Sequence, residues 1–371
     1  MKSVVVKHHM LNAKLMGLGG SHYVMLETAI AFAERGFETY IDSPLISSRC
    51  DLFELANFFG VNRKDLMGIG IGGTYNNSKL VINTSGDVLS GAGDVVYLHY
   101  PSFLDYRVYY SPLYGIFDLF GKTYSITNTV LFPLLSRKVK VYLANSWFTA
   151  SFFKRYFRVD PIIINPPVNL DDIIHKEPLP LSSRENYVLT VARISPEKHP
   201  ELVVQLAKSL KKQKISRVNL VGVLSNYNKL LYESLMDLAA KEGVDDFVDL
   251  HINITREKLV ELYRKALVYV HITPREHFGI SIVEAMAAAT PVIVPVNSGG
   301  WIDIARQDIH VARPYSIISE VSCIVRELAS NPSLWNQVSW RAYRRALQLD
   351  RREFRRKIYQ VVEPIINGNA G

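Results

Sequence analysis

Short apolar runs recur along the chain, separated by longer stretches whose apolar positions follow helical spacing. That alternation predicts parallel strands joined by helices. In the first half the runs are VVVK (4–7), ETYID (38–42), DVVYLHY (94–100), VKVYLAN (139–145) and PIIINPPV (161–168). The second half supplies NYVLTVAR (186–193), RVNLVG (217–222), LVYVHIT (267–273) and PVIVPV (291–296). One helix runs through Ala33 after the glycine stretch GLGGSHY, another opens near Pro200, and ISIVEAMAAA forms a third. The Pro-Pro at 166 and 167, followed by polar NLDD, marks a linker between two βαβ halves of similar size. Ligands in open α/β sheets bind beyond the C-terminal ends of the strands, so chemistry is expected at those edges.

A length of 371 residues agrees with two domains. The charge balance, 43 Lys and Arg against 35 Asp and Glu, gives +8 and favours anionic partners without choosing among nucleotides, nucleic acids and membrane surfaces. Two widely separated cysteines, Cys50 and Cys323, fit neither a disulfide framework nor a zinc site, which points to a reducing compartment. The opening MKSVVVKHHM is too short in apolar residues for a signal peptide and reads as a first buried strand. No run of roughly 18 apolar residues predicts a membrane-spanning helix. Two basic, aromatic stretches stand out: FFKRYFR (152–158) and the arginine-rich tail RAYRRALQLDRREFRRKIYQVV. Either could be an ordinary solvated face or an interface with anionic lipid.

Candidate chemistry begins in REHFGISIVEAMAAATPVIVPVNSGG (275–300). The spacing puts Glu276 in a loop leaving a strand, Gly279 at a helix entrance and Glu284 about one turn inside that helix. A helix entrance favours an anion, and a carboxylate on either side could accept hydrogen bonds from hydroxyls. A nucleotide sugar has that layout; a loop charge and a helix-surface charge would look the same. In VARISPEKHPEL (191–202), Arg193 and Lys198 follow a strand end, where two cations can neutralise a diphosphate or simply face water. In GLGGSHY, His22 takes the third glycine position of a dinucleotide fingerprint, which disfavours a dehydrogenase. Gly19 and Gly20 still permit close backbone approach to a ligand, or a plain tight turn. His99, near the end of an apolar strand, is either structural or oriented toward a sugar hydroxyl. Around and after it Tyr97, Tyr100, Phe103, Tyr106, Tyr109, Tyr110 and Tyr114 could serve as core, sugar platforms or a lipid interface. Hydrolase, zinc-protease and P-loop motifs are absent from the sequence, and no Asp-x-Asp pair follows a strand.

Taken in order, these elements resemble the glycosyltransferase family 4 enzymes of the GT-B fold. The likeness spans nearly the whole chain and is most specific in Glu276-His277-Phe278-Gly279-Ile280-Ser281-Ile282-Val283-Glu284-Ala-Met-Ala, followed by PVIV. EHFGISIVEAMAA, NSGG, YLHYP and NPPVN are similar to dolichol-pathway α-1,2-mannosyltransferases. Two positions depart from the family: Ala289 and Thr290 stand where a glycine is common, and Asp303 where a glutamate is.

The resemblance implies two Rossmann-like domains facing each other across a cleft. Residues 1–167 would bind the acceptor and 168–348 the nucleotide sugar, with 349–371 a C-terminal helix returning to the first domain. It implies that Glu284 binds the donor ribose and Glu276 the donor sugar, with the His277, Phe278, Gly279 and Ile280 backbone nearby. Arg193 and Lys198 would clamp the diphosphate, Gly19 and Gly20 would approach it, and His99 would contact the transferred sugar. No metal and no cofactor beyond the nucleotide sugar are implied. The expected reaction is retaining hexose transfer, mannose from GDP-mannose first and a UDP-sugar next, to a glycan or polyprenyl-linked glycan. The setting would be cytoplasmic, with peripheral contact to an anionic membrane and no nucleic-acid partner. A nucleotide-sugar epimerase of the same fold and a non-catalytic sugar- or lipid-binding protein are the alternatives.

Overall fold

The computed structural model describes residues 3–9, 19–72, 79–86, 93–100, 114–174, 177–213, 215–224 and 228–367. The first compact unit comprises the described residues to Asn169, Tyr114 excepted, together with those from Leu349 onward; Leu170–Gln348 form the body of the second.

In the first unit, strands β1 (Ser3–Lys7), β2 (Glu38–Asp42), β3 (Ile69–Ile71), β4 (Lys79–Gly86), β5 (Val95–Leu98), β6 (Val141–Ala144) and β7 (Ile162–Ile163) make one sheet, ordered β3-β2-β1-β4-β5-β6-β7. Neighbouring strands run parallel; β1, for example, aligns Val5 with Tyr40 of β2 and with Val81 of β4. Helices α1 (Gly20–Ala33), α2 (Arg49–Phe58), α3 (Tyr114–Leu135) and α4 (Trp147–Phe157) accompany this sheet.

The second unit repeats the plan. Its strands β8 (Glu185–Val191), β9 (Arg217–Gly222), β10 (Val248–Ile252), β11 (Ala266–Val270), β12 (Val292–Pro295) and β13 (Arg313–Tyr315) are ordered β10-β9-β8-β11-β12-β13. Its helices are α5 (Asp171–Ile174), α6 (Leu202–Leu210), α7 (Lys229–Lys241), α8 (Arg256–Lys265), α9 (Ile280–Ala287), α10 (Val321–Ser330) and α11 (Pro332–Leu347). The chain then returns: the Arg351 N–H donates to the Val168 carbonyl, and α12 (Arg351–Ile366) packs on α1 of the first unit.

The sequence pattern missed β3, β4, β10 and β13. In β4 the reason is visible, because its end reads Asn83-Thr84-Ser85, three buried polar residues. Their groups are satisfied by specific partners: Thr84 Oγ1 donates to the Lys7 carbonyl and Asn83 Oδ1 accepts from the Ser85 N–H. An apolar-run criterion cannot see such a strand.

Helix α1 is buried from His22 to Phe32 on every face. One side lies on the sheet, and the other is covered by Phe354, Ile358 and Val362 of α12. That explains its all-round apolar sequence, which a helix with one wet face would not have. The tail arginines follow from the same packing. Arg351 and Arg355 are buried, and Arg355 donates to Glu27 of α1 and to Glu34 just past its end. These two belong to neither a solvated face nor a lipid patch, because both lie buried beside the interior carboxylate of Glu27.

Candidate functional site

In a doubly wound sheet the strand order reverses at one point, and the loops leaving the strands there diverge to open a crevice. The reversal lies between β8 and β11 in the second unit, and between β1 and β4 in the first. Every candidate site residue of the sequence lies at or one strand from such a point.

In the second unit, β11 leads into His271, Thr273 and the loop carrying Glu276, while β8 leads into Arg193 and the turn carrying Lys198. Lys198 Nζ donates to Glu276 Oε2 at 2.6 Å. His271 Nε2 lies 3.3 Å from the same oxygen, within ion-pair reach but off hydrogen-bond alignment. Behind it, Tyr269 Oη is 3.1 Å from His271 Nδ1 and 2.9 Å from Ser281 Oγ on α9. Burial raises the Glu276 pKa, but Lys198 and His271 outweigh burial and hold the carboxyl well below its usual range. The loop is fixed from outside as well: the Gly299 N–H donates to the Glu276 carbonyl at 2.6 Å. A Cβ on Gly299 would come within 2.1 Å of the His277 carbonyl oxygen, so only glycine permits this approach.

Gly279 caps α9 with φ +100, a conformation side chains rarely adopt. One and a half turns into α9, Glu284 Oε1 accepts from Arg256 Nη1 at 2.5 Å and Oε2 from Tyr263 Oη at 3.0 Å. Arg256 also donates to Asp172 through Nε at 2.7 Å and Nη2 at 3.2 Å. Burial works against the Arg256 charge, yet Glu284 and Asp172 more than offset it, so its pKa is raised. Carboxylates, each braced by a cation, therefore stand on either side of a helix entrance whose first N–H groups have no intrahelical acceptor. The cations bonded to the carboxylates include Lys198 and Arg256, each carried by a different element of the unit. Sequence reasoning missed Arg256, Tyr263, Tyr269 and His271, which carry no motif of their own.

Arg193 follows β8 and is exposed. His277, Phe278 and Ile280 line the bend, with Phe278 buried. Asp303 is buried in a π-helical turn, Gly300–Ile304, whose carbonyls at Asp303 and Ile304 accept from Arg345. Its place in the fold is thus a pinned turn rather than a solvent-facing loop.

In the first unit, Gly19 caps α1, and its N–H donates to His22 Nδ1 at 3.2 Å. The histidine in the third glycine position thus closes the turn by itself. Gly19 has extended backbone, and a Cβ there would meet no described atom within 4 Å, so folding alone does not demand glycine. Gly20 begins α1. His99 follows β5, its Nε2 3.2 Å from the Thr84 carbonyl, which also accepts from His8 Nδ1 at 3.0 Å. The His99 ring lies against Gly86, where a Cβ would come within 2.9 Å of it. A carbonyl can only accept, so Nε2 carries the proton and a neutral His99 presents Nδ1 as an acceptor. Burial lowers its pKa to about 4. Tyr97 is fully buried with its hydroxyl on the Ile164 carbonyl, a core role; Phe103, Tyr106, Tyr109 and Tyr110 lie outside the described residues.

The depressed His99 pKa fixes a pH dependence. Below an unfolded pKa near 6.5 the unfolded chain takes up a proton that folded His99 refuses until about pH 4. Its contribution is therefore intact above pH 6.5 and is lost as pH falls through 4. Replacing His99 with asparagine should flatten that acid limb by about 2–3 kcal/mol. Urea titrations of both proteins at pH 7 and pH 4.5 check this; equal slopes of stability against pH would remove the assignment.

Residues 171–343 match the family model described as Glycosyl transferases group 1. The matched stretch covers nearly all of the second unit. The chain is 25% identical over 268 residues to a GDP-Man:Man(3)GlcNAc(2)-PP-Dol alpha-1,2-mannosyltransferase of Dictyostelium discoideum, covering 68% of this chain and 51% of that one. It is 33% identical over 156 residues to a D-inositol 3-phosphate glycosyltransferase of Mycobacteroides abscessus, covering 40% of this chain and 34% of the relative. The chain thus spans about half the length, or less, of these curated relatives. In structure it is similar to sucrose-phosphate synthase from Thermosynechococcus elongatus, with TM-score 0.71, 15% identity, and coverage of 99% of this chain and 100% of that one. At that identity the likeness establishes the fold, two Rossmann-like units of the GT-B class. The match to the group 1 model begins at α5 and ends within α11, so it contains the Glu276 and Glu284 clusters together.

Proposed function

We propose that the chain is a retaining, metal-independent glycosyltransferase. It moves a hexose, mannose from GDP-mannose first and a UDP-sugar next, to a glycan carried on a polyprenyl lipid. The observation that carries this reading is the pair of braced carboxylates around the entrance of α9, at the β8/β11 reversal. A diphosphate at the helix entrance receives backbone N–H groups, and hydroxyl-bearing rings on its two sides reach Glu284 and Glu276. The relatives' printed names supply the sugar and the lipid-linked acceptor.

Transfer then needs little side-chain acid–base chemistry. The acceptor hydroxyl attacks on the face from which the diphosphate departs, and a phosphate oxygen takes its proton. Lys198 spends one of its three N–H donors on Glu276 and keeps two for the leaving oxygens. Being held by that carboxylate, it needs no reorganisation as charge develops. Arg193 adds a second cation, and the acceptor nitrogen of His99 receives a hydroxyl proton of the transferred sugar.

The test is thermal stability with GDP, UDP and ADP at equal concentration. A nucleotide at about a hundred times its dissociation constant stabilises the fold by roughly 2.7 kcal/mol. GDP is expected to give the largest shift. Glu284→Ala should weaken that binding by roughly tenfold to a hundredfold, the worth of one or two hydrogen bonds to a charged group. No shift with any nucleotide, or an unchanged shift in Glu284→Ala, overturns the assignment. Conversion of a nucleotide sugar to its epimer without an acceptor would replace it with an isomerase.

A further inference from the structure

Strand β11 reads Ala-Leu-Val-Tyr-Val and is buried throughout, and His271, just past its end, is buried as well. Tyr269 and His271 are two positions apart and so share one side of the strand. Packing alone would accept phenylalanine and leucine there, whereas two buried polar rings need partners. The partners form a row. Ser281 Oγ on α9 lies 2.9 Å from Tyr269 Oη, which lies 3.1 Å from His271 Nδ1, and His271 Nε2 faces Glu276 Oε2 at 3.3 Å. The backbone beneath is pinned on both sides: the His271 N–H donates to the Ile293 carbonyl at 2.9 Å, and Tyr315 Oη donates to the His271 carbonyl at 2.8 Å.

The protons in this row run one way. A carboxylate only accepts, so the His271 nitrogen that faces Glu276 carries a proton. Lys198 already supplies the counter-charge of that carboxylate, so a neutral ring suffices and its Nδ1 is left as an acceptor. Tyr269 Oη then donates to Nδ1 and accepts from the Ser281 hydroxyl. Glu276 is left with two unlike oxygens. Oε2 meets both Lys198 and His271, while Oε1 makes no hydrogen bond among the described residues. Helix α9 thus carries Glu284 itself and, through Ser281, Tyr269 and His271, steadies Glu276 as well.

We propose that Tyr269 and His271 are positioning residues for sugar transfer: Tyr269 holds His271 in its Nε2–H tautomer, and His271 turns Glu276 so that Oε1 receives a hydroxyl of the donor sugar. The role rests on the function proposed above and deepens it. Neither ring touches the substrate; each acts through Glu276. Without the Tyr269 hydroxyl, Nδ1 loses the donor that keeps it unprotonated, and the proton can sit on either nitrogen. The Nδ1–H tautomer turns a lone pair toward the carboxylate and repels it from its place.

Two measurements on the full chain test this. Long-range nitrogen–proton NMR spectra of isotope-labelled histidines read the tautomer of each ring, and His271→Gln identifies the His271 signals by their loss. The Nε2–H form is expected in the wild type and a mixture in Tyr269→Phe. The second readout is release of GDP from GDP-mannose, or of UDP from UDP-glucose if UDP gives the larger stability shift. Tyr269→Phe should lower kcat roughly tenfold to a hundredfold, the range for removing an outer partner of a site residue. Its thermal stabilisation by the nucleotide alone should stay at the wild-type value, because a nucleotide without a sugar does not reach Glu276; a merely structural loss would weaken both. In the His271→Gln background, whose amide donates without tautomers, Tyr269→Phe should change kcat by less than about threefold. A wild-type His271 protonated on Nδ1, or a Tyr269→Phe kcat within about threefold of wild type, overturns the proposal. So does an equal loss of kcat in both backgrounds. A chain with the inferred tautomer that releases no nucleotide fails the proposed function, and the positioning role with it; the intact tautomer tells that failure from the others.

Discussion

Replacing Glu276 with glutamine is expected to lower kcat/KM for sugar transfer by roughly two to three orders of magnitude, the usual cost of one preorganised electrostatic contact. The side chain keeps its shape, so the loss isolates its charge. That charge has two dependants. Lys198 is bonded to it at 2.6 Å and His271 stands at 3.3 Å, each carried on a different loop at the β8/β11 reversal. Without the carboxylate, Lys198 is free to swing, and the cation proposed to meet the leaving diphosphate is no longer held in place. Stability should fall too, by about 2–3 kcal/mol, because a partly buried ammonium then lacks its counter-charge. Steady-state kinetics and urea titration check the two effects separately. A glutamine variant within about threefold of wild-type kcat/KM would remove Glu276 from the reaction and leave it a structural role.

The second large effect concerns the fold of the first unit. Arg355→Ala is expected to cost about 3–5 kcal/mol, the range for breaking a buried ion pair from one side. Glu27 has no exposed surface, and its Oε2 accepts from Arg355 Nε across the α1–α12 contact. Burial already raises the Glu27 pKa against the pull of Arg355 and Arg351, so removing Arg355 leaves a carboxylate in apolar surroundings. Replacing both partners, as in Glu27→Gln with Arg355→Met, should recover much of the loss, since no charge is then stranded. A double-mutant cycle in urea measures this. Additive single effects, or an Arg355→Ala cost below about 1 kcal/mol, would show that α12 is held by apolar packing alone.

Much of the architecture was legible along the chain. Strands such as VVVK and LVYVHIT, the helix after Gly279 and the two-unit plan follow from local patterns, because the period of apolar positions reports directly which faces are buried. The interval from Glu276 to Glu284 was legible for the same reason: a loop, a capping glycine and one and a half turns fix where both carboxylates stand. Strand β4 was not legible, since its buried Asn83, Thr84 and Ser85 are made tolerable by bonds to other strands and to one another rather than by apolar character.

The sequence by itself determined the strands, the turns and the residue types able to hold a sugar diphosphate. Only the tertiary structure decided which charges meet. Glu276 takes Lys198 from 78 positions away, Glu284 takes Arg256 from 28, and Arg355 takes Glu27 from 328. Local periodicity carries no record of such pairs, because their partners are chosen by strand order. The β8-to-β11 adjacency sets the first, the seating of α8 beside α9 the second, and the return of α12 to α1 the third. A run of arginines reads the same whether it faces water or an interior carboxylate; the packing of the helix that carries it makes the difference.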